Sequence, residues 1–157
     1  MDIPSLAQLK KDLSYLSEKE LIDLITDLAK FSRDNKAFLY FKLNERDQPN
    51  LFVDAVKEEL DEAFQVANTR HYHVAKKAAQ GIRRKLNKSL KLSKNKADQA
   101  ELILYFCEQM KKYDYERHHH PVIDNLFRVQ IGKAQKLISS LHEDLQSDFS
   151  YRIEELI

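Results

Sequence analysis

The sequence predicts an all-α protein of seven to eight helices, built as stacked αα-hairpins or as an irregular helical bundle. Three observations carry this expectation. Among 157 residues there are only 2 Gly and 3 Pro, too few for the turns of sandwiches, barrels and α/β folds. The remainder is rich in Leu, Lys, Glu and Ala, all good helix formers. Apolar residues also recur at spacings of three and four, the signature of a helix face. With 43% hydrophobic and 32% charged residues, the make-up is that of a soluble globular protein. The length suits a single all-helical domain over residues 1–157 with one contiguous core.

The first helix is expected from about Ser5 to Tyr15, with Leu6, Leu9, Leu13 and Leu16 on one face. The second opens at Ser17-Glu18-Lys19-Glu20, a capping-box pattern in which hydroxyl and carboxylate satisfy the exposed backbone N–H groups. Leu21, Leu24, Ile25 and Leu28 follow at helical spacing. A third, Arg33 to Leu43, carries Phe38, Leu39, Phe41 and Leu43, and the segment NERDQPN (44–50) reads as a loop. The fourth runs from about Leu51 to Ala67, with Val53, Val56, Leu60, Phe64 and Ala67 inward. The fifth covers roughly His71 to Leu90, and LSKNK (92–96) separates it from the sixth, Ala97 to Lys112. The seventh starts near Pro121 and reaches about Leu141; the last spans roughly Ser147 to Ile157.

Helix six predicts its own position. At 100° per residue, Ala100, Leu102, Ile103, Leu104, Phe106, Cys107 and Met110 cover about 200° of its circumference, wider than a surface stripe. It is expected at the centre, packed on more than one side, with Cys107 as a small core residue rather than a nucleophile. As the lone cysteine it also excludes an internal disulfide. The aromatic residues, including Phe38, Tyr40, Phe41, Tyr113 and Tyr115, are expected in the core and between helices.

Charge is segregated. Residues 70–96, RHYHVAKKAAQGIRRKLNKSLKLSKNK, hold ten Lys or Arg and no Asp or Glu, while the rest holds 16 basic and 25 acidic residues, a net of −9. On a helix, Lys76, Lys77, Arg83, Arg84, Lys88 and Lys91 fall within an arc of about 140°, opposite Val74, Ala75, Ala78, Ala79, Ile82, Leu86 and Leu90. Such a ridge suits a phosphate backbone, with binding that falls steeply with salt, or an acidic protein surface. A solvated face balanced by acidic helices such as DAVKEELDEA (54–63) is the plainer alternative. No helix-turn-helix, zinc finger or aromatic stacking signature accompanies the ridge. Its Ala- and Val-rich apolar side lacks the anchors of a membrane-surface helix.

Catalytic patterns are missing. No Gly-rich phosphate loop, G-x-S-x-G, H-E-x-x-H or C-x-x-C occurs, so no enzymatic activity and no cofactor is expected. The carboxylate pairs Glu58–Glu59 and Glu154–Glu155 are adjacent on their helices and point about 100° apart, so they do not converge. His118, His119 and His120 precede Pro121, with His71, His73, His142 and Asp124 elsewhere. A divalent metal needs three or four ligands converging on one point, and consecutive residues at a helix start diverge. The expected role of this cluster is a polar helix entrance, Pro121 suiting the first turn. Metal binding, or a pH response of clustered His, is the lesser reading.

The pattern LKKDLSYLSEKELIDLITDLAKFSRDNKAFLYFKL, with VAKKAAQGIRRK and AELILYFCEQM further on, resembles an uncharacterised family of small bacterial helical proteins, a domain of unknown function. The resemblance spans most of the chain and implies a bacterial, cytosolic, all-helical protein, with no activity or site residue to carry over. The N-terminus, MDIPSLAQLKKD, has no basic region followed by an apolar run, and no stretch reaches the length of a membrane span, so a cytoplasmic location is expected. The leading functional expectation is a non-enzymatic interaction or adaptor protein that engages a protein or other acidic macromolecule through the basic helix. Sequence-nonspecific nucleic-acid binding by the same ridge is the alternative, and metal binding by His118, His119 and His120 the third.

Overall fold

A computed structural model describes all 157 residues as eight α-helices and one 3₁₀ turn, without a strand: α1 (Leu6–Leu13), α2 (Glu18–Phe31), α3 (Arg33–Asn44), α4 (Leu51–Val66), α5 (Tyr72–Leu90), α6 (Lys96–Lys112), the 3₁₀ turn (Tyr115–His118), α7 (Pro121–Ile138) and α8 (Glu143–Leu156). The chain, read from its sequence as one domain, divides into two compact units, residues 1–43 and 44–157.

The first unit comprises α1, α2 and nearly all of α3. Its local signals fold as expected. Ser5 caps α1 by accepting from the Gln8 N–H. Ser17 accepts from the Glu20 N–H while the Glu20 carboxylate accepts from the Ser17 N–H at 2.7 Å, completing the capping box. The ionised carboxylate is favoured by those bonds, which hold Glu20 below its ordinary pKa. At the other end of α2, Ser32 turns extended and the Asn35 amide donates to the Leu28 carbonyl at 2.8 Å. Yet none of the three helices buries a single residue. Phe38 and Tyr40, expected in the core, lie exposed, and Phe41 is only half-buried.

All the buried side chains belong to the second unit. There α6 is central, packed against α4, α5, α7 and α8, most extensively against α7. Ala100, Leu102, Leu104, Phe106 and Cys107 have no exposed surface at all, as the wide apolar arc of this helix requires. Burying each Leu or Phe contributes about 1.5–3 kcal/mol. Phe64 of α4 stacks on Tyr113 at 5.7 Å and meets Tyr115 edge-on at 5.9 Å. That cluster ties α4 to the end of α6 and the 3₁₀ turn.

Several boundaries differ from the sequence expectation for identifiable reasons. Asn95 accepts from the N–H groups of Ala97 and Asp98, which starts α6 at Lys96. The hydroxyls of Ser139 and Ser140 donate to the carbonyls of Lys136 and Leu137, and α7 stops at Ile138, short of Leu141. His142 caps α8, so that helix begins at Glu143, a turn earlier than Ser147. The turn at Tyr115–His118 had no sequence signal, and it is flanked by Asp114 and His119 at φ of 54° and 45°. Both residues occupy the left-handed region that non-glycine residues enter at a cost.

Candidate partner-binding surface on α5

The inner face of α5 is set by Ala75, Ala79, Ile82 and Leu86, all buried. Small residues at 75 and 79 let its backbone approach α4 and α6 closely, and the ridge residues are then sorted by their angle from that face. Lys76 and Arg83 stand beside it, on the shoulder, and are half-buried. Lys77, Arg84, Lys88 and Lys91 lie on the outer seam and are exposed. Lys77, Arg84 and Lys91 recur every seven residues, so they line up along about 21 Å of helix.

Electrostatic compensation within the fold goes elsewhere. The acidic residues at the heart of the unit meet Lys57 and Arg152: Glu101 pairs with both, the former at 2.7 Å, and Arg152 also reaches Glu108 at 2.8 Å. Burial works to raise the pKa of Glu101, but hydrogen bonds from Arg152 and Lys57 outweigh it and hold the carboxyl below the ordinary range. Asp61 of α4 accepts a 2.6 Å hydrogen bond from the Tyr105 hydroxyl. Lys76, Lys77, Arg83, Arg84 and Lys91 form no ion pair, whereas Lys88 is engaged within the fold. The Nε of Arg83 is buried without a hydrogen-bond partner. The balance between the ridge and residues 54–63 that the sequence allowed is not made by direct pairing for these five residues.

The three consecutive histidines take three different positions. His118 ends the 3₁₀ turn with its Nε2 buried and unpartnered. His119 is the left-handed hinge. His120 is the N-cap of α7: its Nδ1 accepts from the Val122 N–H at 3.1 Å, and its ring stacks on Tyr72 at 5.1 Å. His142 performs the same capping at α8, and His71 precedes α5 without a side-chain cap. No group of three or more His, Cys, Asp or Glu side chains is placed to hold a metal ion. An Nδ1 that must accept a backbone hydrogen bond is the unprotonated nitrogen, so His120 presents only its Nε2 to any ligand.

Cys107 lies wholly buried in α6, and burial, with Glu108 nearby, pushes its thiol up to about 12. At neutral pH it stays protonated and a poor nucleophile. A cavity of about 330 Å3, which no sequence pattern announced, opens between α6, α7 and α8, floored by Met110, Tyr115, Ile123 and Ile131 with Lys111 and Arg128 at its rim. It is assembled from four separate segments, so only the tertiary structure could reveal it. No helix is long and apolar enough to cross a membrane.

No protein-family model, curated protein or solved structure matches the chain.

Proposed function

We propose that the protein is a non-enzymatic adaptor that docks an acidic protein partner through the outer seam of α5, and that it does so in a bacterial cytoplasm. One observation carries this reading. A helix without any acidic residue exposes four cations in line, and five of its six ridge cations have no ion-pair partner. Cations left unpaired within the fold are available to an external anion. Complementary charge of this kind speeds encounter and selects partners. The seam favours a protein over a nucleic acid because it is one helix wide and carries no exposed aromatic side chain between Lys77 and Lys91 for base stacking.

The test is the triple variant K77E/R84E/K91E, which replaces exposed side chains only. Tagged wild-type protein, incubated with lysate of the native host, is expected to retain a discrete acidic protein in a nuclease-resistant, salt-sensitive complex that the variant loses. Retention by the variant overturns the reading. A complex that disappears with nuclease, together with a gel shift on duplex DNA or RNA at low salt, transfers the seam to nucleic-acid binding.

A further inference from the structure

The N-terminal helices expose many large apolar side chains. Leu6, Phe31 and Leu43 are 84%, 82% and 72% exposed, and Ile22, Ile25 and Leu28 each leave about half their surface open. Large apolar side chains exposed in this number mark an interaction surface.

We propose that residues 6–44 form the interface of a homodimer, in which two copies of α2 pack antiparallel about a two-fold axis passing by Leu24 and Ile25. Three observations select a second copy as the occupant. The seam of α2, Leu21, Leu24, Ile25 and Leu28, has spacings of three, one and three. It therefore reads the same in both directions, and a two-fold axis through its middle sets Leu21 of one copy against Leu28 of the other. A self-complementary patch is what an isologous interface requires.

Charge agrees. Residues 1–43 hold seven acidic and seven basic side chains, so two copies of this surface meet without net repulsion, as two copies of the α5 seam would not. The helices also need a permanent cover. With 8, 14 and 12 residues, each is at or below the length at which an isolated helix is marginal in water. A second copy is present wherever the chain is.

The proposal is independent of the α5 reading and is tested on the full chain. Light scattering at micromolar and higher concentration should give about twice the 18.5 kDa of one chain. The variant L24E/I25E/L28E should raise the dissociation constant at least about a hundredfold, because it sets charges into an apolar interface. It should leave the melting of residues 44–157 in place, since these side chains lie outside that core. I25C, a milder change, should be cross-linked between copies by a short bismaleimide, with the buried Cys107 unreactive. A monomer at tens of micromolar overturns the proposal, as does a dimer that survives the triple change or an I25C dimer that fails to cross-link. Any of these outcomes leaves the α5 seam to be judged by its own test.

Discussion

The tripeptide Glu-Leu-Ile occurs three times, and two of its copies stand inside helices, Glu20-Leu21-Ile22 in α2 and Glu101-Leu102-Ile103 in α6. Both copies are helical and both sit where apolar residues recur at helical spacing. In α6, Leu102 and Ile103 are buried to 0% and 2% exposure; in α2, Leu21 is half-buried and Ile22 is 56% exposed. The glutamates diverge in the same way. Glu101 is gripped by Lys57 and Arg152 from other helices, while Glu20 serves only its own N-cap, three residues away. Local sequence made each helix; neighbours decided what each helix is for. A stripe surrounded by four helices is a core, and a stripe of the same pattern in α2 stays exposed.

The largest effect that would break this comparison is a cavity. Leu104→Ala in α6 removes a fully buried side chain and should lower the stability of residues 44–157 by about 3–5 kcal/mol in chemical denaturation. Leu24→Ala, the same chemistry on the exposed face of α2, should leave that transition unmoved. Equal losses from the two changes would erase the distinction between core and open face.

A middle-sized effect comes from Arg152, whose guanidinium bridges Glu101 and Glu108. Arg152→Ala should cost about 2 kcal/mol at neutral pH, the worth of hydrogen bonds to charged groups. It should also change the acid limb. The folded-state pKa of Glu101 is lowered, so its contribution is present above the unfolded value near 4.3 and is lost as pH falls through the folded one. Wild type should therefore lose stability more steeply below about pH 4 than the variant. Parallel acid limbs would show that the network adds nothing to folding. Glu20→Gln offers the matching control, since it acts only on the start of α2.

The smallest effect is a gain. Gly132 lies exposed within α7, and a methyl group added there meets nothing within 4 Å. Gly132→Ala should raise stability by about 0.5–1 kcal/mol through helix propensity. A change of that kind on the exposed side of α7, while α6 holds the helix, tests local preference against a fixed tertiary background. A loss would mean that α7 bends at this position in solution.

Much of the fold was legible because its signals are local. The capping box at Ser17 and Pro121 at the start of α7 are decided within a few residues and appear where expected, and the break after α5 ends one residue earlier than expected. The 200° arc of α6 was equally readable, since angles around one helix need no knowledge of its neighbours, and it placed that helix at the centre. The cap made by His142 was missed because histidine is not among the usual capping residues, and α8 consequently began earlier than expected. Of the candidate surface, the six ridge residues were named from the helical projection. Which of them stand on the outer seam, and which are half-buried beside Ala75 and Ala79, was not. That sorting depends on where α4 and α6 press against α5.

By itself, then, the sequence determined seven to eight helices, their approximate limits, an acid-free basic segment and the absence of any cysteine pair. Hydrogen bonds between residues three or four apart and the angular spacing of apolar side chains are enough for that. Only the tertiary structure decided which stripes become core. It also showed that Glu101 and Glu108 pair with Lys57 and Arg152, and that three adjacent histidines do three different things. Each of those outcomes is a choice among partners far apart in the chain. A helix records in its sequence that it has a face, whereas burial and pairing are properties of whatever comes to lie against it.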